Sequence, residues 1–203
     1  PADPSAYHVE KLYVHLTDWM DTLEFASPPV LVGHSLGGSL ALMYAMRRPD
    51  NLRGLVLVNP VVGPSQTSAL IRWLQRKPEV GSRALQKTPK WLIEAILGWE
   101  PEGTRFTLSE RKRQAADYKR AAPQIVSILP TLQDLSAYLP AISTKTLVIW
   151  GRKDRALKPR QFRRLAQLMP NAVAHKLPDC GHQPHIARPK VFNRLVIDFL
   201  KTL

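Results

Sequence analysis

Residues 30–44 read Val-Leu-Val-Gly-His-Ser-Leu-Gly-Gly-Ser-Leu-Ala-Leu-Met-Tyr, and this stretch decides the fold. A short apolar run, Val30-Leu31-Val32, feeds Gly33-His34-Ser35-Leu36-Gly37, and an apolar helical pattern follows without a gap. A G-x-S-x-G pentapeptide between a strand and a helix puts its serine on a sharp, strained turn, with Oγ exposed above a sheet. A turn this tight predicts that the flanking Gly33 and Gly37 are glycines because a Cβ there would collide. The helix that starts at Leu36 aims the positive end of its dipole at any anion that forms beside the serine. Ser35 is therefore the candidate nucleophile.

Outward from the elbow, strand-like runs alternate with helical ones, the pattern of a parallel α/β sheet. Val9, Leu12, Leu16, Trp19 and Leu23 recur at helical spacing and predict a helix over 8–24, stopped by Pro28-Pro29. A strand over 30–33, a helix over 36–47 and a buried strand over 55–58 follow. The helix ends in basic residues and Pro49. From 64 to 143 no strand pattern appears. Amphipathic segments rich in Leu, Ile and Trp are cut by prolines at 78, 89, 101, 123, 130 and 140, and Thr107-Leu108-Ser109-Glu110 has capping-box spacing. A strand over 146–150, a helix over 161–169, a weaker strand over 173–177 and a closing helix over 189–203 complete the chain. The expected organisation is a core formed by 1–63 and 144–203, interrupted by a helical cap at 64–143.

A serine hydroxyl is a poor nucleophile until a base takes its proton and a third group orients that base. Asp154 follows strand 146–150 through Gly151-Arg152-Lys153, and His182 follows strand 173–177 through Pro178-Asp179-Cys180-Gly181. Both thus leave the sheet at its carboxyl edge, where open α/β sheets bind ligands. The neighbours Arg152, Lys153 and Arg155 would also suit Asp154 to a surface ion pair, but its place directly after a buried strand favours the orienting role. Asn59 ends the preceding strand and, carrying no charge, does not compete as the acid. Asp179 is too near His182 in the chain to approach the far side of its ring. Among the other histidines, His185 is expected to cap or pack and His34 to face away from the chemistry. His8, His15 and His175 read as ordinary surface or core residues.

The 203 residues suffice for one packed domain. No apolar run is long enough to span a membrane, and no signal-peptide pattern opens the chain. The single Cys180 excludes a disulfide framework and suits a reducing compartment, hence a cytoplasmic expectation. No Cys/His cluster has metal-ligand spacing, so neither metal nor cofactor is expected. The net charge of +13 is uneven: residues 1–63 carry four Lys/Arg against six Asp/Glu, whereas 146–203 carry twelve against three. Such a balance could favour anionic partners. No nucleic-acid module accompanies it, and a solvated basic face is the reading adopted.

Gly33-His34-Ser35-Leu36-Gly37-Gly38, Trp150-Gly151-Arg152-Lys153-Asp154 and Gly181-His182-Gln183-Pro184 together resemble the signature regions of bacterial α/β-fold hydrolases with a helical cap. The tail Phe192–Leu200 is similar to the closing helix of that group, which includes C–C bond hydrolases. The order Ser…Asp…His is the one this resemblance implies for a triad of Ser35, Asp154 and His182. It also implies an oxyanion donor at the backbone N–H of Leu36. Members of the group normally begin with further strands that carry a His-Gly oxyanion motif. The chain is therefore expected to be the C-terminal part of a longer hydrolase, with an apolar sheet edge at strand 30–33 open to pairing and oligomerisation.

The expected activity is acyl hydrolysis of a small hydrophobic ester, and the basic balance would also suit an anionic one. A serine nucleophile argues against the aspartate-based dehalogenase and epoxide hydrolase branches and the cysteine-based dienelactone branch. Trp73, Leu74, Trp91, Ile96, Trp99, Ile125, Leu129 and Tyr138 are expected to supply mainly cap core and, in part, pocket lining. The alternatives are a C–C bond hydrolase of the meta-cleavage-product type, or a catalytically impaired fragment that acts by binding.

Overall fold

The computed structural model describes residues 3–67, 69–98 and 107–203. Its centre is a parallel sheet of four strands in sequential order: β1 (Val30–His34), β2 (Gly54–Val58), β3 (Thr146–Gly151) and β4 (Ala172–Leu177). Helices α1 (Val9–Asp21) and α2 (Leu36–Arg47) flank β1 in sequence, α7 (Arg160–Leu168) joins β3 to β4, and the short α8 (Pro184–Ala187) and α9 (Pro189–Leu200) close the chain. Between β2 and β3 run α3 (Ala69–Arg76), α4 (Pro78–Lys87), α5 (Lys90–Gly98) and α6 (Leu108–Arg120). No described helix is long and apolar enough to cross a membrane.

The unbroken apolar runs of β2 and β3 follow from burial on both faces. Successive side chains alternate, so Leu55, Leu57, Val148 and Trp150 share a core with α1, α2 and α7. Val56, Val58, Leu147 and Ile149 point the other way, onto Phe199 of α9. Each such fully buried aliphatic stabilises the fold by about 1.5–3 kcal/mol relative to exposure. The outer strands read differently because they lie at the sheet's edges: Val32 in β1 is 54% exposed and Val173 in β4 is 56% exposed. Arg47 of α2 ties α1 down, pairing its two terminal guanidinium nitrogens with Glu10 at 2.7–2.8 Å and lying over the Tyr13 ring.

The 64–143 stretch departs from expectation in two ways. Residues Pro123–Thr131 and Ser136–Ala141 are 3₁₀ rather than α-helical, because Pro130 and Pro140 lack the N–H that continues an α-helix. Its large apolar side chains do not form a core of their own either: Trp73, Trp91, Ile125 and Tyr138 are 44–67% exposed, while Leu129 packs partly against the main core. Short helices cut by proline enclose little interior, and the small cluster formed there by described residues is Ile93 with Ala115. Trp99 and the side chains of Leu74 and Ile96 lie outside the described residues. The Thr107–Glu110 capping box forms as the spacing predicts.

The elbow glycines are not equivalent, which corrects the sequence expectation. A Cβ at Gly33 would fall 2.8 Å from Gly38 Cα, and one at Gly38 would fall 2.8 Å from Pro60 Cα, whereas one at Gly37 meets nothing within 4 Å. Main chain crosses main chain at Gly33 and Gly38, and Gly37 faces open space. Replacing Gly33 with Ala should cost about 2 kcal/mol or more, lowering Tm by at least roughly 4 °C. Gly37→Ala, inside a helix, should leave Tm unchanged or raise it. Thermal unfolding of the two variants checks this, and equal losses would contradict it.

Candidate active site

At the carboxyl ends of β1 and β2, the described residues contain two non-glycine positions with positive φ, Ser35 (52°) and Asn59 (41°). Such conformations cost on the order of 1–3 kcal/mol each and persist only where surroundings over-determine them. Ser35 is held on three sides. Its N–H donates to the Val58 carbonyl at 3.0 Å, and its carbonyl accepts from the N–H groups of Gly38 and Val61, each at 3.0 Å. Leu36 is the first residue of α2, where N–H groups have no intrahelical partner.

The three residues picked from sequence meet here, 28 and 147 positions apart in the chain. His182 Nε2 lies 3.0 Å from Ser35 Oγ, and His182 Nδ1 lies 2.8 Å from Asp154 Oδ2. The Asp154 side chain is fully buried, and the His182 side chain is one-fifth exposed. The carboxylate gathers donors on both oxygens. Oδ1 accepts from the N–H groups of Ala156 (2.8 Å) and Leu157 (2.9 Å), and Oδ2 accepts from Asn59 Nδ2 (2.5 Å) as well as facing His182. Asp179 stands apart, exposed and near Lys153 and Arg188.

Asn59 is the residue that sequence reasoning missed. Weighed there only as an acid, it serves here as a fully buried connector. Its Oδ1 accepts from Gly151 N–H at 3.3 Å, and its Nδ2 reaches both Asp154 and, at 3.4 Å, the Gly181 carbonyl. An asparagine tolerates positive φ better than most residues, which is the one local signal that could have marked it. The loops it joins also touch directly: Lys153 N–H donates to the Cys180 carbonyl at 3.1 Å, and a Cβ on Gly151 would strike the backbone of Cys180 and Gly181.

His34 contradicts its expected orientation. Rather than facing away, its ring lies 4.9 Å from the His182 ring and 4.8 Å from His185, and its Nε2 is 2.7 Å from the His182 carbonyl oxygen. The end of β1 turns this side chain toward the loop after β4, contacts that no local pattern encodes. His185 packs, as expected, against His34 and Phe192. Burial pulls the His34 pKa from 6.5 down to about 4, and burial, with the His182 charge second, lowers that of His185. Both neighbours of His182 therefore favour the neutral form. A cation at 4.9 Å from an imidazolium would oppose it by about 3 kcal/mol at an effective dielectric of 20.

The fold and the Ser–His–Asp geometry define a hydrolase-type site at the carboxyl rim of a parallel sheet. A family model described as "Alpha/beta hydrolase family" matches residues 1–195, and the chain belongs to that family. It is 30% identical to the "Putative carbamate hydrolase RutD" of Pseudomonas savastanoi pv. phaseolicola, over 98% of this chain and 78% of that one. It is 26% identical to a 2-hydroxy-6-oxononadienedioate/2-hydroxy-6-oxononatrienedioate hydrolase of Cupriavidus pinatubonensis, over 84% of this chain and 61% of that enzyme. Among solved structures, a "putative aryl esterase" from Burkholderia cenocepacia superposes with a TM-score of 0.76 at 25% identity, covering 100% of this chain and 74% of that one.

The His34 environment has a consequence for acid stability. An unfolded His34 titrates near 6.5 and the folded one near about 4. As pH falls across that interval the unfolded chain takes a proton that the folded chain refuses. Stability from neutral His34 is thus fully present above pH 6.5 and is lost as pH falls through about 4. The loss is on the order of 3 kcal/mol. Thermal unfolding from pH 7 to pH 4 should show a steeper fall in the unsubstituted protein than in His34→Gln, and parallel curves would contradict it.

Proposed function

We propose that this chain hydrolyses a carboxylic ester, or a related acyl bond, of a small hydrophobic substrate through an acyl-enzyme on Ser35. The observation that carries the reading is the continuous relay from Ser35 Oγ to His182 Nε2 at 3.0 Å and from His182 Nδ1 to Asp154 Oδ2 at 2.8 Å. Ser35 Oγ attacks the carbonyl carbon while His182 Nε2 accepts the hydroxyl proton, and the collapsing tetrahedral intermediate returns that proton to the leaving group. Asp154 keeps the Nδ1–H tautomer and stabilises the imidazolium. The Leu36 N–H, at the start of α2, donates to the oxyanion, assisted by the helix dipole. Water, deprotonated by His182, then releases the acid and regenerates Ser35. In this reading the 64–143 stretch is the cap, and its apolar side chains are where the acyl or alcohol part would bind.

A second reading, a C–C bond hydrolase of the meta-cleavage-product type, is favoured by a specific likeness: the Cupriavidus relative is named for a dienedioate. The chain's +13 charge would suit such an anion. Hydrolysis of p-nitrophenyl acetate and butyrate, set beside a dienone carboxylate, separates the two. The ester reading expects turnover of the esters and a loss of roughly 1,000-fold or more in kcat for Ser35→Ala. Unchanged ester hydrolysis in Ser35→Ala would contradict the nucleophile, and turnover of the dienone alone would favour the second reading.

A further inference from the structure

His182 lies in the segment between β4 and α8, outside any helix or strand, so the position of its ring depends on what grips that segment. Three of the segment's carbonyls are engaged in succession: Cys180 by the Lys153 N–H, Gly181 by Asn59, and His182 itself by His34 at 2.7 Å. A carbonyl oxygen only accepts, so His34 carries its proton on Nε2 and donates it. His34 and Ser35 are consecutive residues. The elbow consequently meets His182 twice, through Ser35 Oγ on the ring and through the His34 ring on the backbone.

From this double hold, and resting on the reading of Ser35, His182 and Asp154 as the catalytic relay, we infer that His34 is a positioning residue. Its Nε2–H bond to the His182 carbonyl sets the distance between base and nucleophile. The His34 ring also lies tilted by 54° against the His182 imidazole and edge-on to His185, which is backed by Phe192. The wedge so formed blocks the base from swinging away from Ser35. Burial keeps His34 neutral at pH 7, with His182, His185 and Asp154 the titratable groups whose charges reach it. The donor thus holds its place without setting a cation beside the imidazolium that forms during turnover.

The variable position of the elbow pentapeptide therefore has a definite role in this chain. Misplacing a reacting group by about 1 Å costs on the order of 100-fold in rate. His34→Phe keeps the bulk and removes the donor, whereas His34→Gln keeps an amide N–H at similar reach. For p-nitrophenyl butyrate, His34→Phe should lower kcat roughly 10- to 100-fold with KM within about threefold. His34→Gln should recover to within roughly threefold of the unsubstituted kcat, since only the donor has been restored. In the unsubstituted protein, ¹⁵N–¹H correlation of the imidazoles at pH 7 should show His34 protonated on Nε2, a readout that needs no variant to fold.

The inference is overturned by a kcat within about twofold in His34→Phe, by His34→Gln as impaired as His34→Phe, or by a His34 protonated on Nδ1. Ser35→Ala, assayed alongside, keeps the two claims apart. If Ser35→Ala retains full activity, the catalytic reading fails, and the His34 tautomer still reports whether the bond to His182 exists.

Discussion

A carboxylate cannot be buried without compensation, and Asp154 has its side chain fully out of solvent. Four hydrogen-bonding groups offset that cost, and they come from different parts of the chain. Ala156 and Leu157 belong to the loop after β3, Asn59 to the end of β2, and His182 to the loop after β4. The carboxylate therefore gathers three loops at one rim of the sheet, because each brings a hydrogen-bonding group to its buried oxygens. The placement of His182 against Asp154 and the retention of the rim are consequences of one demand.

The sheet delivers those loops to the same place through its parallel, sequential order. Each strand ends at the same edge, and the register of β2 and β3 sets Val58 beside Ile149, so that Asn59 follows β2 at the level where β3 nears its own end at Gly151. Asn59 N–H donates to the Ile149 carbonyl and Ser35 N–H to the Val58 carbonyl, each at 3.0 Å, extending the ladder one step beyond the strands. These bonds hold the two positive-φ residues in place. Strain of on the order of 1–3 kcal/mol per residue at Ser35 and Asn59 is tolerated because ordinary sheet bonding and close packing surround both.

How much of this was legible in the chain depended on the distance over which each signal acts. The elbow was plain because strand, glycines, serine and helix are contiguous, and α2 begins and ends where the pattern puts it. Asp154 and His182 were legible as polar residues just past apolar runs. Asn59 and His34 were not, since their contacts lie 95 and 148 residues away and nothing beside them in sequence signals a partner. The glycine expectation erred for a related reason: the spacing marks Gly37, yet Gly38 makes the close approach, against Pro60. In the 64–143 stretch the apolar content suggested a core, whereas proline-cut segments leave Trp73, Trp91 and Tyr138 largely exposed.

The relay's chemistry is tested most directly by trapping the nucleophile. Treatment with a fluorophosphonate, followed by mass spectrometry of the digested protein, should place a single covalent phosphonate on Ser35. Labelling should slow by roughly 100-fold or more in His182→Ala, because the hydroxyl then lacks its base. An adduct on another residue, or labelling of Ser35 at an undiminished rate without His182, would contradict a serine activated by the buried Asp154–His182 pair.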